Sequence, residues 1–276
     1  MPEGDTVHRT ARLQHAALAG RTLTAAELRV PRFATAELAG LRVDEVVARG
    51  KHLLHRLGPY TLHSHLKMEG SWRSFAALDP SAGAAGGFER WSRPGYLARA
   101  ILTTDAVQAV GFELGTLELL ERADEERAVG HLGPDLLDPE WGEGLRAEAI
   151  RRLEAEPEVP VFVAVLDQRK LAGVGNVYAN ELAFLRGVLP THPIGETDVP
   201  ALVDLARRML LANVDRWTRS TTGDLRPGER SWVYGRRGRR CRRCGTPLRS
   251  GELGPAVAPT EPDRDRVVTW CPRCQS

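Results

Sequence analysis

The chain begins Met-Pro-Glu-Gly-Asp-Thr, and chemistry without a cofactor could start at its second and third residues. Two readings of Pro2 stand side by side. In one it merely starts a helix, with Asp5 or Thr6 as N-cap, because proline is favoured where helices begin. In the other, Met1 is removed and the proline nitrogen becomes a secondary amine, a nucleophile with the Glu3 carboxyl beside it. Lysine usage adds a pointer. Only Lys51, Lys67 and Lys170 are lysines, so 35 of the 38 basic residues are arginine. A lysine retained in such a chain could have a task arginine cannot perform, such as giving up a proton near neutral pH.

The cysteines suggest metal. Cys241 and Cys244 are followed, after 26 residues, by Cys271 and Cys274, and these four are all the cysteines present. Each Cys-x-x-Cys puts two thiolates on one tight turn, and two such knuckles complete a tetrahedron around one Zn2+. Four thiolates leave no open position for water, so the zinc is expected to be structural, which argues against a zinc hydrolase. No apolar signal core or membrane-length apolar run is present, so a cytoplasmic protein is expected, and in a reducing compartment paired thiols favour metal over disulfides. His63 and His65 share a strand face but lack an evident third ligand.

Charge points to a polyanion. The net charge is only +2, yet residues 113–158 carry 14 acidic and 5 basic residues, and residues 216–249 carry 11 arginines against Asp224 and Glu229. Arg239, Arg240, Arg242 and Arg243 flank the first knuckle, where they could meet phosphate. "GVGNVYANE" sets Gly173 and Gly175 before Asn176. Such a turn lets backbone amides at a helix start approach an anion, although a simple interhelical turn reads the same way.

Several elements must hold these residues. Residues 5–19 read as a helix with Val7, Ala11 and Leu18 on one face, ended by Gly20. From Leu23 to about Leu117 the pattern is that of short strands, with "LRVDEVVARGKHLLHRL" broken at Arg49-Gly50, strands in "YTLHSHL" and "YLARAILTT", and a loop over "DPSAGAAGG". From about Leu119 the spacing becomes helical, in stretches 119–129, 141–156, 161–173, 176–187 and 199–220. The fold class expected is α+β and multidomain: an N-terminal β-sandwich with flanking helices (1–120), a helical DNA-binding domain (121–229) and a four-cysteine β-hairpin finger (230–276). Trp72, Trp91, Trp141, Trp217 and Trp232 are expected to be core or surface anchors.

Taken together, "MPEGDT", "RGKHLL" around Lys51, "HLKMEGS" around Met68, "GVGNVYANE" around Asn176 and the terminal "WCPRCQ" resemble the bacterial formamidopyrimidine-DNA glycosylase and endonuclease VIII family. The motifs span nearly the whole chain in the family's order. The resemblance implies a helix-two-turn-helix domain between sandwich and zinc finger, and excision of oxidised bases followed by strand cleavage. "PEGDT" is closer to the endonuclease VIII branch than to the branch beginning "PELPE", which implies oxidised pyrimidines as substrates. "HLKMEGS" differs from the HLGMSGS of the other branch at Lys67 and Glu69.

The resemblance assigns roles. Pro2, freed of Met1, attacks C1′ of the damaged nucleotide. An α-amine has a reference pKa of roughly 8 against about 10.4 for lysine, so more of it is unprotonated near neutral pH. Glu3 protonates the sugar ring oxygen, and Lys51, on a hairpin, contacts phosphate and assists proton transfer. Asn176 and Arg266 clamp phosphates, and Met68 fills the void left by the extruded nucleotide. A methionine in the sheet core is the other reading of Met68. The expected partner is damaged DNA, with the protein a monomer, no organic cofactor, no membrane, and association with the nucleoid when bound. The alternative is a non-catalytic zinc-finger protein that binds DNA or RNA, for which the N-terminal residue is dispensable.

Overall fold

A computed structural model describes residues 1–78, 87–254 and 266–276, so the loop expected over 79–87 lies, apart from Gly87, outside the described residues. The chain forms two compact units, Met1–His131 and Leu132–Ser276.

The first unit is a sandwich behind one helix. Helix α1 spans Gly4–Leu18, and Val7, Ala11 and Leu18 on its inner face are buried. Strand β1 is Ala25–Leu28, β2 Val43–Arg49, β3 His52–Leu57, β4 Tyr60–His65, β5 Ser71–Ala76, β6 Ala98–Thr103, β7 Val107–Phe112 and β8 Thr116–Glu121. They form two four-stranded antiparallel sheets, ordered β1-β6-β7-β5 and β2-β3-β4-β8. Leu53, Leu57, Leu62, Leu66 and Leu102 are buried in the core with the apolar face of α1.

Two expectations are corrected in this unit. The α1 N-cap position is Glu3, not Asp5 or Thr6. The Glu3 carbonyl accepts from the Thr6 and Val7 amides, and the Asp5 carboxylate bonds the Thr6 amide at 2.7 Å from inside the first turn, where the helix dipole favours an acid. Residues 119–121 are strand, not helix. Leu119 pairs with Leu62 and Glu121 with Tyr60, and this long-range ladder overrides the local helical spacing. Past β8 the chain makes a 3-10 turn at Arg122–Asp124 and then α2, Glu126–Val129.

The second unit is built around four helices. Helix α3 is Glu143–Glu154, α4 Val161–Leu166, α5 Asn176–Arg186 and α6 Val199–Leu211, around a core containing Phe162, Tyr178, Leu182, Leu202 and Leu210. Helix α4 is shorter than expected, because Asp167 turns back to cap the Arg169 amide. Helix α6 stops at Leu211, not Ser220. The Asn213 side chain bonds both the Met209 carbonyl and the Ser220 amide and so closes the chain into a turn. Strands β9 (Arg249–Leu253) and β10 (Arg266–Trp270) form an antiparallel pair beside the cysteines.

Candidate functional site

In the first unit, Pro2, Glu3, Lys51 and Met68 come to one end of the sandwich, and three local rules put them there. Helix α1 runs antiparallel to β2, since the Gly20 amide donates to the Val43 carbonyl and the Val46 amide donates to His15 Nδ1 at 3.2 Å. From His15 back to Gly4 a helix rises about 16 Å, and from Val46 to Lys51 a strand rises about the same. The helix start therefore lies at the level of the β2–β3 turn. That turn is Gly50-Lys51, closed by the pair Arg49–His52, and Gly50 has φ +56, a conformation that suits glycine at the first position of a two-residue hairpin loop. His52 in turn pairs with His65 at the end of β4, and the turn after it carries Met68.

The surroundings of these residues differ. Glu3 is fully buried, whereas Met1 is 43% exposed. Lys51 is half-buried. Met68 is 56% exposed, which excludes the sheet-core reading. The turn that lifts it out is tight: Lys67 has φ +53, its amide donates to His65 Nδ1 at 2.9 Å, and the Gly70 amide returns to the Leu66 carbonyl.

In the second unit Asn176 and Arg266 come together through a residue that the motif contains but the sequence reading gave no role, Asn180. Asn176 is the first residue of α5, after Gly175 at the cap and Gly173 at φ +106. The Gln168 side chain braces this turn, bonding the Leu166 and Val174 carbonyls and the Gly173 amide. One helical turn on, the Asn180 amide nitrogen donates to the Asn176 carbonyl at 2.8 Å and faces the Val267 carbonyl at 3.3 Å, while its oxygen accepts from the Thr269 amide at 2.6 Å. Asn180 thus ties the helix start to β10, whose first residue is Arg266.

Glu181 was also missed. It is fully buried and accepts from the Trp232, Val233 and Tyr234 amides, each at 2.8 Å, and from the Thr221 hydroxyl. Burial pushes its carboxyl up, and the Thr221 hydroxyl and the three amides oppose that shift. The residue pins the arginine-rich segment to α5. Only its place in "ANE" could have drawn attention to it.

The cysteines assemble as expected. One sulfur from each of Cys241, Cys244, Cys271 and Cys274 falls within 4.8 Å of the others, with Cys241–Cys274 at 3.9 Å and Cys244–Cys271 at 3.5 Å. A tetrahedron with metal–sulfur bonds of about 2.3 Å has edges of about 3.8 Å, so the donor set fits a metal ion. Hydrogen bonds from Thr246 hold Cys244 down to about 6, while burial and the neighbouring thiols push Cys274 up to about 12. A cation at the centre is what allows all four to ionise together. The knuckle arginines divide. Arg242 bonds Glu229 and the Ser231 and Gly228 carbonyls, and Arg243 stacks on Phe184 and Trp232, so these two hold the fold. Arg239 and Arg240 are exposed. Trp72 and Trp232 anchor as expected through indole bonds to Ser64 and Thr221, but Trp217 is 73% exposed.

His63 and His65 share their face with His52, but His63 bonds His52 and Glu118 while His65 Nδ1 accepts from the Lys67 amide, so they converge on no common centre. Among the described residues the cysteine tetrad alone gathers three or more such ligand atoms. Among the described residues no helix is long and apolar enough to cross a membrane.

Residues 1–111 match the family model described as formamidopyrimidine-DNA glycosylase N-terminal domain. Over 278 residues the chain is 47% identical to the DNA-(apurinic or apyrimidinic site) lyase Nei2 of Mycolicibacterium smegmatis, covering 100% of this chain and 99% of the relative. It is 48% identical to endonuclease 8 2 of Mycobacterium tuberculosis, with both chains covered in full. Its fold is similar to that of Lactococcus lactis Fpg (MutM) solved with DNA containing N7-benzyl-Fapy-dG, with a TM-score of 0.76, 22% identity and 99% of each chain covered. The chain therefore belongs to the formamidopyrimidine-DNA glycosylase and endonuclease VIII family, on its endonuclease VIII side.

Proposed function

We propose that this protein is a bifunctional DNA glycosylase and abasic-site lyase of base excision repair, acting on oxidised pyrimidines through its N-terminal proline. The observation that carries this reading is the start of α1: a fully buried Glu3 beside Pro2, behind an exposed Met1 whose removal frees the amine. The Pro2 nitrogen forms a bond to C1′ as the bond from C1′ to the base breaks, and the proton that the nitrogen loses goes to the departing base. Glu3 gives its proton to the ring oxygen as the sugar opens. The product is a tertiary iminium with no nitrogen proton to lose, so its positive charge remains as an electron sink. Loss of a proton from C2′ then expels the 3′ phosphate, a second elimination expels the 5′ phosphate, and water releases the sugar remnant from Pro2.

The remaining assignments follow the residues' placement. Lys51 meets phosphate and moves a proton at its Nζ, Asn176 and Arg266 hold backbone phosphates, and exposed Met68 fills the vacated stack. The metal held by Cys241, Cys244, Cys271 and Cys274 is one structural zinc. Work divides among three segments, with catalysis in 1–120, the helix-two-turn-helix in 121–229 and the finger in 230–276. The protein acts as a monomer without an organic cofactor, in the cytoplasm and on the nucleoid.

Borohydride trapping on lesion-bearing oligonucleotides tests the reading. A covalent adduct at the N-terminal peptide is expected when Pro2 is free and none when Met1 is retained or tagged. Full strand cleavage by N-terminally blocked protein would refute the proline mechanism, whereas DNA binding with neither trapping nor cleavage by protein with a free Pro2 would favour a binding-only role.

A further inference from the structure

Next to Lys51, one face of the β3-β4-β8 sheet carries a row of histidines that the mechanism above does not use. His52 pairs with His65, and His63 pairs with Glu118 on β8, so the register puts all four on the same side. The His52 ring stacks on His63 with centroids 5.0 Å apart and meets His65 and His131 edge-on at 5.2 and 5.9 Å. Two hydrogen bonds string them together: Glu118 Oε2 to His63 Nδ1 at 2.9 Å, and His63 Nε2 to His52 Nδ1 at 2.8 Å.

The chemistry of the far end fixes the direction of this chain. A carboxylate only accepts, so His63 Nδ1 carries the proton that donates to Glu118. With His63 in its neutral form, Nε2 is then the acceptor, and His52 donates from Nδ1. That leaves His52 Nε2 with its lone pair. His65 is fixed separately, because its Nδ1 accepts the Lys67 amide and its proton must sit on Nε2. His52 is held low by its surroundings. Burial, then His63, His65, His131 and Lys51, push it down to about 3. Burial, then Lys51, Lys67 and His63, push His65 down to about 4. Both rings are neutral throughout the neutral range.

We propose that Glu118, His63 and His52 are positioning residues for Lys51: their hydrogen-bond chain locks His52 in the Nδ1-protonated tautomer, so that the ring following the lysine presents an acceptor. The residue that follows Lys51 in the hairpin then carries a lone pair, where the opposite tautomer would carry a second donor. The role rests on the proposed part of Lys51 in strand cleavage. It would give a lysine in an arginine-rich chain a partner suited to an exchangeable proton.

The test uses the full chain with 15N-labelled histidine. Long-range proton–nitrogen spectra should show His63 and His52 protonated on Nδ1 and His65 on Nε2, with no titration of His52 in the neutral range. Glu118→Leu removes the acceptor at a partly exposed position, and Glu118→Gln retains one. Glu118→Leu should lose the His52 tautomer, slow single-turnover cleavage of a preformed abasic site on the order of tenfold and shift its pH profile, while trapping at Pro2 stays within about twofold. Glu118→Gln should restore tautomer, rate and profile. An Nε2-protonated His52 in the unsubstituted protein, or a Glu118→Leu variant with unchanged rate and profile, would overturn the proposal. Unsubstituted protein that neither traps nor cleaves overturns the proposed function, and with it the role of Lys51, while the tautomers still judge the hydrogen-bond chain.

Discussion

The two units place their candidate functional residues by different means. In the first, backbone regularity suffices: a helix laid along a strand, a two-residue hairpin and strand register bring Pro2, Glu3, Lys51 and Met68 to one end. In the second, Asn176 and Arg266 depend on side chains that reach across long stretches of sequence, namely Asn180, Glu181 and four thiols. Register is shared by many residues, and no single side chain carries it. A side-chain tether can be cut by one substitution. Binding by the second unit should accordingly be more fragile than the architecture of the first.

The largest expected effect tests that contrast directly. Cys244→Ser, or removal of the metal by a strong chelator, should unfold 230–276, since structural zinc contributes on the order of 10 kcal/mol to such folds. DNA affinity should collapse while the β-sheet signal of the first unit persists in circular dichroism. Retained affinity would show that the second unit does not need its thiols.

Acid should reverse the ranking. His52, His55 and His65 are all held below their ordinary value, His52 and His55 at about 3 and His65 at about 4, with burial the first cause in each. The unfolded chain then binds more protons than the folded one between those values and about 6.5, so stability rises with pH in that window. Their contribution is complete above about pH 6.5 and is lost as pH falls below it, together up to about 4 kcal/mol per pH unit. Denaturant unfolding from pH 7 to 5, followed by the first unit's signals, should show a falling midpoint. A flat midpoint would mean these rings are not neutral and buried.

Glu181→Ala comes next. It strands three backbone amides in the interior, and a loss of about 3 kcal/mol is expected from the second unit with the first unchanged. Hydrogen exchange at Trp232–Tyr234 is the local readout, and continued protection there would remove Glu181 from the tethers. The smallest effect belongs to the hairpin. Gly50→Ala puts a Cβ at φ +56 and should lower stability by about 1 kcal/mol. Thermal unfolding measures it, and a much larger loss would show that register in the first unit also hangs on single residues.

The same contrast decided what the sequence revealed. Val7, Ala11 and Leu18 fall at helical spacing, Arg49-Gly50 breaks two alternating runs and the cysteines keep knuckle spacing, so the elements bearing Pro2, Lys51 and the metal ligands were legible. These signals are local. Residues 119–121 have helical neighbours, and only pairing with β4, some 60 residues earlier, makes them strand. The end of α6 is set by Asn213 reaching Ser220. Asn180 meets Thr269, 89 residues on, and Glu181 meets Val233, 52 residues on. No local window contains either partner. Arg242 and Arg243 misled for the same reason: composition shows their charge but not the carbonyls and rings that occupy them.

Met68 has one further consequence. Its thioether stands in solvent on a turn held by a left-handed Lys67, and flexible sulfur so exposed is open to oxidation to the sulfoxide. The oxidised side chain is polar and bulkier, unsuited to filling an apolar gap in stacked bases. A protein proposed to mend oxidised DNA thus carries, at the tip proposed to enter the helix, an atom sensitive to the same oxidants. Under oxidative stress its capacity for repair would depend on how fast methionine sulfoxide is reduced as well as on how much protein the cell contains. Peroxide treatment that oxidises Met68 but leaves base excision unimpaired would break this link.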